Sequence, residues 1–244
     1  KIEEVSHCDL TEEQKSLYED VLLRSREKIF KELEDENTPI PYIHIFALLS
    51  SLKQVCDHPA VYLKKADNYK NYSSGKWDLF LELLEEARES QQKVVVFSQY
   101  LHMLDIMEAY LNEQGIGFAS IRGSTQNRGE QLKRFSKDPG CEVFLASLQA
   151  SGLGIDLTSA SVVIHYDRWW NAARENQATD RVHRIGQTRG VQVFKLVTKN
   201  TFEERIDQLI TQKGRLMEDV IGVDERDMIK KFTRDEIFDL LRLV

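Results

Sequence analysis

Two periodicities divide the chain. In the first quarter, apolar residues recur at helical spacing: Leu17, Val21, Ile29 and Leu33, then Tyr42, Ile45, Phe46, Leu49, Leu52 and Cys56. Thr11 to Gln14 reads as a T-x-x-Q capping box that opens the first helix. The stretch Glu34 to Pro41 breaks it, and the second helix is expected to stop before Pro59, because a residue ahead of proline disfavours the helical region. Residues 64 to 75 are polar and read as a linker. From Lys76 onward the pattern shifts to short β-branched or aromatic runs at Val94–Ser98, Phe118–Ile121, Glu142–Ala146, Val162–Tyr166 and Val191–Val197. Helical segments lie between them, one carrying Leu101, Leu104, Met107 and Leu111, another Leu132 and Phe135. Strand alternating with helix predicts βαβ units, hence an α/β fold with a parallel sheet between two helix layers. VVVF and VVIHY are nearly continuous apolar runs, as central parallel strands require. A last stripe, Phe202, Ile206, Leu209, Ile210, Met217 and Val220, predicts a long amphipathic helix, and Asp224 to Val244 a short one with Phe232, Ile237, Leu240 and Leu241.

The pattern therefore divides into a helical lead-in and linker over residues 1–75, an α/β unit over 76–200, and C-terminal helices over 201–244. At 244 residues, 41% hydrophobic and 30% charged, the chain can bury a substantial core. It opens on Lys1 rather than Met, which suggests a piece cut or processed from something longer. No signal segment opens it, and the apolar stretch Ile43–Leu49 is too short to span a bilayer, so no membrane partner is expected. Cys8, Cys56 and Cys141 are far apart with no CxxC pair, which argues against a zinc site or a disulfide framework and fits a reducing compartment. Cys56 and His58 alone are too few ligands for a closed metal site, so none is expected. Net charge is −7, which by itself disfavours general nucleic-acid binding. From His165 to Asn200, however, five Arg and two Lys face Asp167, Glu175 and Asp180, a local balance of +4. A basic stripe on an acidic body can still contact phosphates.

Ligands on parallel sheets gather at the carboxyl ends of strands, so the loops there are the candidate site. Ser98 and Gln99 follow the first predicted strand, and Arg122-Gly123-Ser124-Thr125 the second. Ser147 follows the third, leading into Gly152, Gly154 and Asp156, where glycines let backbone approach a ligand closely. Tyr166 to Asn171, with Trp169 and Trp170, follows the fourth, and QATDRVHRIGQTR (Gln177–Arg189) comes next. Arg181 and Arg184 are three apart and share a helix face, two permanently charged forks suited to phosphate.

In this order the motifs resemble the C-terminal RecA-like lobe of superfamily-two motors, specifically the Swi/Snf-type DNA translocase ATPases. The residues that carry the resemblance are VVVFSQY, IRGSTQNRGEQLKRF, VFLASLQASGLGIDLTSASVVIHYDRWWN and QATDRVHRIGQTR. The lead-in segments CDLTEEQKSLYE, LKQVCDHPAVYL and SGK match as well, as does the tail TFEERIDQLITQK, which is similar to a brace-type helix. The resemblance implies that Arg181 and Arg184 reach the γ-phosphate of ATP held on a partner lobe, with Gln177 opening the same motif. It implies that Gly152, Gly154 and Asp156 lie beside the nucleotide; many members carry Asn at position 156 and Gly at 151, where this chain has Asp156 and Ser151. Ser98, Gln99, Arg122, Ser124 and Ser147 correspond to residues that hold DNA phosphates. Trp170 matches a tryptophan that either meets the duplex or packs in the core. No GxxxxGK[ST] and no DEAH-like box occurs, so ATP and Mg2+ would be held mainly by a missing N-terminal lobe of the same protein, and the chain alone would be inactive. The implied partners are double-stranded DNA, that missing lobe and a DNA-bound protein such as RNA polymerase. The doubled tryptophan and compact spacing point to a bacterial, cytoplasmic and nucleoid-associated member; a eukaryotic one would be nuclear. The alternative is a stand-alone, non-catalytic module that binds DNA or protein. A Rossmann-type cofactor enzyme fits poorly, because no GxGxxG follows a strand.

Overall fold

A computed structural model describes residues 1–147, 155–184, 186–212 and 225–242, with backbone only at 226. Six parallel strands form one sheet: β1 (Ile2–Cys8), β2 (Val94–Ser98), β3 (Gly117–Ile121), β4 (Cys141–Ser147), β5 (Val162–His165) and β6 (Gln192–Thr198), in the order β1-β6-β5-β2-β4-β3. The expected α/β parallel sheet is what forms, and five of its strands lie within one or two residues of the sequence expectation. β1 was not expected, since the opening segment read as part of a helical lead-in. It pairs with β6 from Ile2 opposite Gln192 to Cys8 opposite Thr198. As an edge strand with Ile2 and Val5 exposed, it carries no apolar run that would betray it.

Successive strand residues face opposite sides, so each central strand feeds two cores. Val94, Val96, Val143, Leu145, Val162 and Ile164 pack beneath α4 (Gly75–Glu89) and α5 (Leu101–Glu113). Val95, Phe97, Phe144, Ala146, Val163 and Val193 pack against α6 (Arg128–Lys137) and α7 (Ala172–Thr179) through Phe135 and Ala178. The third core is helical. α1 (Glu12–Glu34) and α2 (Tyr42–Asp57) bury Tyr18, Val21, Leu22, Leu49 and Leu52 against Phe202, Ile206 and Ile210 of α8 (Phe202–Gln212) and against the tail. The tail adds two short helices, Glu225–Ile229 and Arg234–Leu240. Met217 and Val220 lie outside the described residues. The lead-in and the C-terminal helices thus share one core, and β1 carries the lead-in into the sheet.

Local chemistry explains the boundaries. The Thr11 capping box forms: its Oγ1 accepts from Gln14 N at 3.2 Å, and Gln14 Oε1 accepts from Thr11 N at 3.1 Å. α2 ends at Asp57, and a four-residue helix, α3 (Pro59–Tyr62), starts with proline at its first turn. His58 Nδ1 caps it, accepting from Ala60 N at 3.1 Å; burial holds this imidazole down to about 4. The expected linker contains a 3-10 helix, Ala66–Asn71, that buries Tyr69. Gly75 sits where a Cβ would fall 1.9 Å from the carbonyl oxygen of Asp9, so only glycine fits. Lys76 is fully buried, with Nζ 2.8 Å from Asp57 Oδ1 and 2.8 Å from Glu203 Oε1, which joins α2, α4 and α8. Burial opposes its charge, but the two carboxylates outweigh it and hold the ammonium well above its usual range. No helix among the described residues is long and apolar enough to cross a membrane.

Candidate nucleic-acid and nucleotide interface

The carboxyl edge of the sheet gathers four of the predicted residues. A cleft of about 530 Å3 opens where β2, β3 and β4 end, and Gln99, Arg122, Ser124 and Ser147 line it beside Phe46, Tyr100 and Trp169. Ser124 is exposed in the turn after β3, which Arg122 N closes by donating to Thr125 Oγ1 at 2.9 Å. The Arg122 guanidinium is already clamped, 2.7 Å from Asp105 Oδ1 and 2.9 Å from Glu108 Oε1 on α5. Any phosphate taken there must compete with two carboxylates. Ser147 is buried, and its Oγ has no hydrogen-bond partner among the described residues. An unpartnered buried hydroxyl in a cleft wall is available to a bound ligand.

Two of the predicted DNA contacts are not surface groups. Ser98 is fully buried; its hydroxyl donates to Asp167 Oδ2 at 2.5 Å and accepts from Tyr100 N at 3.2 Å. Gln99 N also donates to Asp167, at 3.0 Å to Oδ1, so Asp167 ties the ends of β2 and β5 together and Ser98 is a brace. Burial raises the Asp167 carboxyl, partly offset by Lys53 and by these bonds. Trp170 is 1% exposed. Its ring meets Phe202 at 6.1 Å and Phe46 at 6.4 Å, both edge to face, and Lys53 Nζ lies 5.0 Å from its centre. Trp170 is therefore a core residue, and Trp169, beneath the Arg174 guanidinium at 4.9 Å, is the tryptophan that lines the cleft.

The arginine segment sits elsewhere. In a parallel sheet each connection returns from the carboxyl edge to the amino edge. α7 carries the chain away from the end of β5, and residues 180–184 and 186–191 lead toward the start of β6. The shared rim expected from sequence order is thus two places. Arg181 is half-buried, and its carbonyl accepts from Leu157 N at 3.0 Å. Arg184 and Gln177 are exposed. Asp156 is exposed; its Oδ1 accepts from Thr158 N at 3.0 Å and Thr158 Oγ1 at 2.8 Å, and those bonds, with the nearby Arg184 charge, hold the carboxyl below its usual range. Gly152 and Gly154 lie outside the described residues. The segment is fastened by a residue to which sequence reasoning gave no role. Gln187 Nε2 donates to the carbonyls of Ala160 at 2.7 Å, Thr158 at 3.1 Å and Val182 at 3.2 Å.

Lys53 and Glu225 were also missed. Lys53 is 1% exposed, and its Nζ donates to Gln99 Oε1 at 2.9 Å and to Glu225 Oε1 at 3.2 Å. The one available signal was a lysine on the otherwise apolar face of α2. Glu225 offered none, since only folding brings the tail to the cleft.

A parallel sheet between helix layers, with polar loops at its carboxyl edge and an arginine segment beyond β5, is the architecture of a helicase-type lobe. Residues 75–186 match the helicase conserved C-terminal domain. The chain is similar to the Sulfolobus solfataricus SWI2/SNF2 ATPase C-terminal domain, with a TM-score of 0.73 and 30% identity over 100% of this chain and 99% of that one. It also resembles the Sulfolobus solfataricus SWI2/SNF2 ATPase core in complex with dsDNA, with a TM-score of 0.80 and 34% identity, covering 100% of this chain and 50% of that one. An uncharacterized ATP-dependent helicase of Mycoplasma pneumoniae is 36% identical over 96% of this chain. The chain belongs to the SWI2/SNF2 ATPase family and is the C-terminal lobe of such a motor. It spans 22% to 26% of the length of the first curated relatives it matches.

Proposed function

We propose that this lobe serves an ATP-dependent translocase that moves along double-stranded DNA and remodels or displaces DNA-bound protein. The observation that carries the reading is the carboxyl-edge cleft, where Gln99, Arg122, Ser124 and Ser147 converge from three strand ends. Donors of this kind suit a sugar-phosphate backbone and impose no sequence choice. A related core is described in complex with dsDNA, which supports the duplex as ligand.

Nucleotide chemistry would be shared between two lobes. The residues present fit the outer end of a triphosphate: Arg184 and Gln177 are exposed, and Arg181 is anchored beside them through its own backbone. ATP with Mg2+, held mainly on the N-terminal lobe, supplies the free energy of phosphoryl transfer. This chain's part is to bring guanidinium charge to the γ-phosphate when the lobes close, which offsets charge that develops in the transition state. Asp156 partly neutralises Arg184 before closure, and its Oδ1 is already used by Thr158. Gln187 keeps the arginine segment against the loop that precedes β5. Alone, the chain is expected to hydrolyse no ATP.

The test is duplex binding by the 244-residue chain, read by fluorescence anisotropy with double- and single-stranded oligonucleotides of equal length. The reading expects binding that weakens with salt, favours the duplex and is reduced by Arg122→Ala with Ser124→Ala. Equal affinity for both DNAs, or no effect of the double substitution, would overturn it.

A further inference from the structure

One carboxylate oxygen in the cleft has an unusual set of partners. Glu225 Oε1 accepts from Gln99 Nε2 at 2.7 Å, from Lys53 Nζ at 3.2 Å and from Trp170 N at 3.4 Å. A side-chain amide, an ammonium and a backbone N–H, from three separate parts of the chain, converge on a single anionic oxygen. That donor set is what a non-esterified phosphodiester oxygen asks for. Glu225 lines the same cleft as Ser124 and Ser147, and its side chain is 11% exposed, so the seat opens onto the candidate DNA path rather than lying sealed in the core. Lys53 is a buried ammonium above the Trp170 ring; among the described residues Glu225 is the one carboxylate within ion-pair distance of it, and its charge also reaches the buried Asp167 carboxyl.

We infer that Lys53, Gln99 and the Trp170 N–H form a seat for a DNA backbone phosphate, and that the Glu225 carboxylate occupies it as an internal mimic of that phosphate. The inference rests on the reading of the cleft as a DNA site and adds a contact to it. Glu225 begins a five-residue helix in the tail, and it leaves the seat when the start of that helix moves. DNA entering the cleft exchanges one anion for another on donors that are already positioned. The tail then sets how strongly the lobe grips: seated, it withholds a cation from the DNA; displaced, it releases that cation.

Salt dependence reads this out, because each phosphate newly paired with a cation steepens the slope of log K against log salt by about 0.9. Duplex binding by the 244-residue chain is measured by anisotropy between about 50 and 200 mM KCl, the range over which such slopes are resolved. The variants are the wild type, Glu225→Ala, Glu225→Gln, the pair Lys53→Met with Glu225→Gln, and Arg122→Ala; each is first checked for a cooperative melt. Glu225→Ala and Glu225→Gln should bind at least about threefold more tightly at the low-salt end, with a slope steeper by about one contact. The neutral pair removes both charges of the ion pair, and because it also takes the Lys53 charge from the buried Asp167 carboxyl its melt is compared with that of Lys53→Met alone; it should return slope and affinity to wild-type values. Unchanged affinity and slope in both Glu225 variants overturns the inference, as does a neutral pair that gains as much as the single substitutions. Arg122→Ala separates the two levels: if wild type binds and Arg122→Ala weakens it while the Glu225 variants do nothing, only the phosphate seat fails. Absence of duplex binding by wild type overturns the cleft reading and the seat with it.

Discussion

Replacing Lys76 with methionine tests what holds the lead-in, the sheet and the tail together. Lys76 and Asp57 are fully buried and Glu203 nearly so, and the ammonium is 2.8 Å from a carboxylate oxygen on each. Methionine fills similar volume, so the cost comes from the charges left behind. Glu203 keeps a bond from Thr198 N at 2.9 Å, but Asp57 Oδ2 already lacks a partner among the described residues, and loss of Lys76 would leave Oδ1 without its cation. Removing one partner from a buried ion network costs about 3–5 kcal/mol. That is a large share of the stability of an ordinary domain, about 5–15 kcal/mol. The assay is urea denaturation followed by tryptophan fluorescence, since Trp77 and Trp170 are both buried and report the two cores that Lys76 joins. The neutral triple variant Lys76→Met, Asp57→Asn, Glu203→Gln should recover much of the loss. A loss below about 1 kcal/mol for Lys76→Met would refute the reasoning, because exposed pairs give values of that size.

Trp170→Ala should destabilise the chain by about 3–5 kcal/mol in the same denaturation assay, as expected for a large buried side chain; a near-neutral result would return Trp170 to the surface. His165 is fully buried, with Nε2 2.9 Å from Thr179 Oγ1, and burial pushes its imidazole down to about 4. The unfolded chain then takes up a proton that the folded chain refuses. Stability should fall as pH drops from about 6.5 to 4, by about 3 kcal/mol for this group. His58 acts in the same direction, so His165→Gln should flatten only part of that slope in melts recorded across the window. Gln187→Ala, placed in a protein that contains both lobes, should lower DNA-stimulated ATP turnover while shifting the melting temperature little. It removes the bonds to Thr158, Ala160 and Val182 that position Arg181 and Arg184.

Much of the fold was legible because central parallel strands are buried on both faces, and VVVF and VVIH have few other uses in a globular chain. β1 was not legible for the converse reason: as an edge strand it buries only Ser6 and Cys8. The arginine segment could be read from residue type and spacing, but its position could not. Sequence order places it after a strand end, whereas topology carries it back toward the other edge of the sheet. Ser98 and Trp170 mark a similar limit. Both follow strands in motifs that name a surface, yet Asp167 takes one inward and Phe46 and Phe202 enclose the other. Lys53 and Glu225 lie 172 positions apart, and no local pattern could have paired them.

Above all, we propose that this lobe lends cationic charge to a triphosphate bound elsewhere in the same motor. The most direct measurement is DNA-stimulated ATP hydrolysis by a protein joining this chain to its N-terminal lobe, compared with the same protein carrying Arg184→Ala. Turnover is predicted to fall by about 10³-fold, the lower end for arginine fingers, with duplex affinity and melting temperature unchanged. Turnover within about threefold of wild type, a difference of less than 1 kcal/mol in the barrier, would contradict it.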